Sequence, residues 1–90
     1  MPNTFIKEDE DPEYDIFVST DNVVIYLDLR WKELEYNRVK INTDGNKIYI
    51  TDSINNRIIK VISLPIRIDP LTLTYKHKNG IFILQGNKLN

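Results

Sequence analysis

The chain has no cysteine and no alanine, and its 90 residues include a single histidine, a single methionine, a single glutamine and three glycines. Without cysteine there is no disulfide framework, no thiolate metal site and no thiol nucleophile. With His77 alone, a site built from several histidines is excluded as well. Gly45, Gly80 and Gly86 are too scattered to form a phosphate-cradling loop. No apolar run approaches the roughly 18 residues of a membrane-spanning helix. An excess of one charge is also lacking: 12 Lys and Arg stand against 13 Asp and Glu, a formal net charge of -1. That leaves no basic face of the kind that holds nucleic acid. The acidic opening, Met1 to Asp11, has neither the basic start nor the apolar stretch of a secretory signal. These features read as a soluble, cytoplasmic protein with no membrane, nucleic-acid or cofactor partner.

What is present points one way. Ile, Val, Thr, Tyr and Asn dominate while the best helix former is absent, so the composition favours strands. Residues 1–13 read as a flexible acidic arm, because Lys7-Glu8-Asp9-Glu10-Asp11-Pro12-Glu13 cannot pack a core. Phe5 and Ile6 are its only apolar pair. A single domain is expected over 14–86, with 87–90 a frayed end.

Seven strands are expected in that domain. The first runs over Asp15 to Thr20, followed by a turn at Asp21-Asn22. In the second, Val23, Ile25, Leu27 and Leu29 share one face, and Val24, Tyr26, Asp28 and Arg30 share the other. Trp31 to Asn37 is a crossing loop with a turn of helix, Trp31, Leu34 and Tyr36 lying together. Arg38 to Thr43 and Asn46 to Asp52 form a hairpin about Asp44-Gly45, with Val39, Ile41, Ile48 and Ile50 inward. Asn55-Asn56 makes the next turn.

Arg57 to Leu64 is densely apolar without clean alternation, as expected for a mid-sheet strand or one at an interface. Pro65 ends it. Leu71 to His77 and Ile81 to Gln85 close the domain about Asn79-Gly80. Seven short strands, with segments at 30–38 and 65–70 long enough to change sheets, predict an all-β, immunoglobulin-like β-sandwich of antiparallel strands with Greek-key features.

Catalysis finds no foothold in this pattern. His77 lies two residues before a hairpin turn, and Ser19, Ser53 and Ser63 have no elbow motif around them. The carboxylate pairs Asp9 with Asp11 and Asp15 with Asp28 lack a cleft to work in. Thr43-Asp44-Gly45-Asn46 lacks the spacing and closing Glu of a calcium loop. Tyr49 near Lys47, and Tyr75-Lys76-His77-Lys78, only loosely match a base-stacking surface, against an unfavourable net charge. The chain reads as a non-enzyme.

The second half has a more specific likeness. Ile62-Ser63-Leu64-Pro65-Ile66-Arg67-Ile68-Asp69-Pro70, followed by Tyr75 through Asn79-Gly80-Ile81-Phe82-Ile83-Leu84, resembles the α-crystallin domain of the small heat-shock proteins. That family shows a strand ending in Leu-Pro, a valine-aspartate step, and a strand running into Asn-Gly-Val-Leu. Tyr14 to Asp21, Val23 to Leu29, Val39-Lys40-Ile41 and Gly45 to Ile50 look like its opening strands and central hairpin. The likeness spans residues 14–85, and the related CS domain of co-chaperones shares the sandwich.

The resemblance implies an ATP-independent holdase that binds unfolding proteins through apolar grooves and strand edges. By resemblance, Val39, Ile41, Leu71, Leu73 and Tyr75 line a groove between the third and sixth strands that accepts Ile-x-Ile-like segments. Arg38 and Lys40 would guard that edge against aggregation. Ile58, Ile59, Lys60, Val61 and Ile62 are a candidate self-association strand. Departures from the family matter too. Arg30-Trp31 replaces a usual Pro-Gly, Tyr75 replaces a usual Ala, and the link from Ile50 to Ile58 is too short for a partner-swapping loop. The arm is short, and the Ile-x-Ile tail that joins dimers into cages is missing after Gly86. A monomer, homodimer or small oligomer is therefore expected. The competing readings are a CS-like adaptor for one defined protein partner and a structural accessory protein that has lost chaperone activity.

Overall fold

The computed structural model describes residues 13–30 and 35–89. The arm through Pro12, together with Trp31 and Leu34, lies outside them. Seven antiparallel strands form two sheets: β1 (Glu13–Val18), β2 (Asn22–Asp28), β3 (Val39–Thr43), β4 (Lys47–Asp52), β5 (Ile58–Ser63), β6 (Thr74–Lys78) and β7 (Ile81–Asn87). The larger sheet has the order β1-β2-β7-β6 and the smaller β3-β4-β5. The chain changes sheets after β2 and after β5, at the two segments whose length predicts a crossing. The expected sandwich is observed.

Strict alternation builds the core. Val23, Ile25 and Leu27 of β2 face Ile48 and Ile50 of β4 across the sandwich, with Phe82 and Leu84 of β7 beside them; all are buried. Burying side chains of this kind contributes about 1.5–3 kcal/mol each. Turns supply the register. Gly45 at φ +94° and Gly80 at φ +84° occupy left-handed positions in the β3–β4 and β6–β7 hairpins, and Asn79 and Asn56 also take positive φ. Asp44 holds the first hairpin by accepting the N–H groups of Asn46 and Lys47 at 2.9 Å each, which lowers its pKa.

Four expectations change. β5 is an edge strand, so of the two readings of its apolar density the mid-sheet one falls. Its broken alternation has a local cause: a bulge leaves Ile59 without a partner, since Ile50 pairs with Lys60 and Thr51 with Ile58. Leu71 is not in a strand; Pro70–Thr72 form a 3-10 turn in which the Asp69 carboxylate accepts the Leu71 N–H at 3.0 Å. Residues 87–89 are not frayed. Lys88 pairs with Ile68, its N–H reaches the Asp21 carbonyl at 2.9 Å, and the Leu89 N–H reaches Arg67 at 3.1 Å. Finally, Arg38 is no edge guard, because its guanidinium is held by Asp52 of β4 at 3.0 and 3.2 Å.

Candidate functional site

A sandwich of four strands over three leaves edges of unequal cover. The two lateral margins are fixed by contacts between the sheets. On one, β1 lies over β5: the Lys60 ammonium sits 5.2 Å from the centre of the Tyr14 ring. On the other, β3 lies beside β6. Tyr36, just before β3, packs on His77 of β6 with ring centres 4.4 Å apart. At the opposite end the Ile68 N–H donates to the Gly45 carbonyl at 3.0 Å. On this margin the turn before β3 thus meets the end of β6, and the β3–β4 turn meets the connection that leads into β6.

Between those ties lies a shallow apolar strip. Val39 is a core residue, while Ile41 and Leu73 are half-buried and packed against the core. Tyr75 shares the inner face of β6 with His77, pairs with Leu84, and is 49% exposed. Its ring stacks on Phe82 at 6.1 Å. Leu71, the fifth residue expected here, stands apart: at 94% exposure its side chain lines nothing. Among the described residues, β3 and β6 each pair with one strand only, so each keeps one backbone edge open.

His77 is better described as a turn-holder than a catalyst. Its Nε2 accepts the Gly80 N–H at 3.1 Å, which places the ring proton on Nδ1. With Tyr36 and Phe82 its ring completes an aromatic corner at the end of the strip. The sequence hid this corner, because it joins residues 36, 77, 80 and 82 from separate segments.

The other candidate strand, β5, has a mixed surface. Ile58 and Val61 are exposed, Ile59 and Lys60 are half-buried, and Ile62 is in the core. Lys60 is on the inner face opposite Ile50. An inward charge and a bulge are two devices that discourage strand addition at an edge.

The charged groups elsewhere form local ties. Asp28 takes Arg30 at 2.8 Å, and this hydrogen bond lowers its pKa; Asp15 is two strand positions away on β1 and joins no such pair. Asp52 is buried among the hairpin ends, where the Ile54 N–H and then Arg38 hold its pKa below the usual carboxylate value. No group of three His, Cys, Asp or Glu side chains is placed to hold a metal among the described residues. The seam between the sheets at Ile48, Leu73 and Leu84 has no room for a water molecule. No helix among the described residues is long and apolar enough to cross a membrane.

No protein-family model matches the chain, and no curated protein matches it by sequence. Solved structures do. Heat shock protein 16.0 from Schizosaccharomyces pombe superposes with a TM-score of 0.69 at 18% identity, over 88% of this chain and 67% of that one. A small heat-shock protein from Xylella fastidiosa gives 0.64 at 20% identity, over 88% and 86%. The fold is that of the α-crystallin domain. A nuclear movement protein from E. cuniculi also superposes, with a TM-score of 0.60 at 16% identity over 83% of this chain and 84% of that one. At such identities the likeness is one of fold.

Proposed function

We propose that the protein is a non-enzymatic, ATP-independent holdase that captures unfolding polypeptides at the β3/β6 margin. It would act in the cytoplasm as part of a stress response. The observation that supports this reading is the pairing of two open strand edges around a half-buried apolar strip of Ile41, Leu73 and Tyr75. An extended segment of a client can hydrogen-bond to an open edge and place alternate side chains on the strip. Unfolding chains expose such segments and folded ones bury them, so selectivity follows from the client's state. Val39 supports the strip from beneath. Self-association through Ile58, Ile59, Lys60, Val61 and Ile62 is the weaker use of an edge here, given the bulge and the inward lysine.

The test is light scattering from a client enzyme denatured by heat, with the chain titrated from substoichiometric to several-fold excess and no nucleotide. Suppression near one chain per client supports the proposal. Unaltered aggregation in excess contradicts it. The second reading is a CS-like adaptor for one folded partner, a use of the same sandwich fold. It predicts no suppression and a single stoichiometric complex.

A further inference from the structure

The outer face of the larger sheet is apolar in the middle, apart from the Asp28–Arg30 ion pair at one end of β2, and oppositely charged at its two edges. Strand pairing sets out its rows. Asp15, Tyr26, Ile83 and Lys76 lie side by side across β1, β2, β7 and β6. Glu13, Asp28, Ile81 and Lys78 form the adjacent row. On the other side, Phe17 neighbours Val24, and its ring meets Tyr26 edge-on at 5.7 Å. Phe17 is 57% and Tyr26 43% exposed, an uncommon amount for two aromatic rings in contact. One margin of this face thus carries the carboxylates Glu13 and Asp15, and the other carries the ammonium groups Lys76 and Lys78. All four are exposed.

We infer that this face binds a second copy of the chain, sheet on sheet, about a two-fold axis parallel to the strands. Such an axis lays β1 of one copy over β6 of the other while keeping each row opposite itself. Asp15 then faces the second copy's lysine at position 76, Glu13 faces that at 78, and both pairs occur twice. Tyr26 meets Ile83 at the centre. A two-fold axis across the strands would instead set β1 on β1 and β6 on β6, carboxylate against carboxylate and ammonium against ammonium. Charge therefore selects the first arrangement. Sheets stacked at about 10 Å leave these side chains within reach of one another. The outer face of the smaller sheet also exposes apolar groups, Ile58 and Val61 on β5, but Lys40, Asn42, Lys47 and Thr51 stand beside them with no acidic margin to complement the lysines. This contact is independent of the β3/β6 strip, and both copies keep that strip open.

Charge reversal with rescue tests the inference. Sedimentation velocity of the full chain, over a hundredfold concentration range at low salt, should show a monomer–dimer equilibrium that weakens as salt is added. Asp15→Lys and Lys76→Glu should each weaken dimerisation about tenfold or more, and the double variant should restore it. Phe17→Ser should weaken it without changing its salt dependence. A monomer at every concentration would overturn the inference. So would a dimer indifferent to both reversals, or one broken by Val61→Lys on β5 instead.

Discussion

The two sheets of the sandwich share one core but meet their surroundings differently. The inner faces are equivalent, each a row of alternating Ile, Leu and Val buried against the other. The outer faces are not. On the smaller sheet, Lys40, Asn42, Lys47 and Thr51 give a largely polar surface, with Ile58 and Val61 exposed along β5. On the larger sheet, Phe17, Val24, Tyr26, Ile81 and Ile83 form a continuous apolar band between two charged margins. The edges differ as well. β5 is bulged and carries an inward lysine, whereas β3 and β6 flank an apolar strip. Core packing explains the inner faces. The outer band and the open strip leave more apolar surface exposed than the fold needs, and the proposals above place binding there.

The largest expected effects test whether the inner faces are equivalent. Leu27→Ala in β2 and Ile50→Ala in β4 each empty a fully buried position at the centre of one sheet. Each should cost about 2–5 kcal/mol in urea unfolding. A much smaller loss at one of them would mean that its sheet is only loosely packed.

The hairpin glycines come next, one in each sheet. Alanine at Gly45 would place its Cβ 2.9 Å from the Ile68 carbonyl oxygen, and at Gly80 it would come 2.7 Å from Arg30 Cγ. Both backbones hold positive φ, so each change should cost more than about 1 kcal/mol. Gly80→Ala should also disturb the His77 contact, visible as a shifted imidazole resonance.

Acid should remove a tie from the smaller sheet. The pKa of Asp52 is lowered in the folded state, so its contribution is present above the ordinary carboxylate value of about 4. That contribution fades as pH falls through the lower folded value. Asp52→Asn should therefore be less stable than the parent at neutral pH, and the gap should close on acidification. A gap that stays constant with pH would remove Asp52 from this role.

The smallest effects separate the outer faces. Phe17→Ser loses its edge-on contact with Tyr26 and should cost about 0.5–1.5 kcal/mol. Asn42→Ser on the smaller sheet should stay within about 0.5 kcal/mol. Only the first should change self-association.

Much of this architecture is legible in the sequence. The period-two pattern of Val23, Ile25, Leu27 and Leu29 marks β2 and its buried face, and Asp44-Gly45 and Asn79-Gly80 mark two hairpins. Both signals are local, which is why they suffice. β5 was harder, because a bulge shifts phase in the middle of an apolar run and mimics a strand buried on both sides. The turn at Leu71 carried its own signal, Asp69-Pro70 at a cap and first helical position, but the apolar alternation of Leu71, Leu73 and Tyr75 competed with it. The pairing of Lys88 with Ile68 depends on a partner twenty residues away, and no local pattern encodes it. In the strip, the grouping of Ile41, Leu73 and Tyr75 follows from the resemblance to the α-crystallin domain, whereas the corner of Tyr36, His77 and Phe82 joins residues some forty positions apart that no local pattern links. The sequence places Val24, Tyr26, Asp28 and Arg30 on one face of β2, but the outer band and its charged margins emerge only from the strand order β1-β2-β7-β6.

The central claim is that clients bind at the β3/β6 margin. Hydrogen exchange with and without a bound unfolded client tests it most directly. The account predicts slowed exchange in Val39–Thr43 and Thr74–Lys78, with β4 and β5 unchanged. Slowing confined to β5, or spread evenly over every strand, would contradict it.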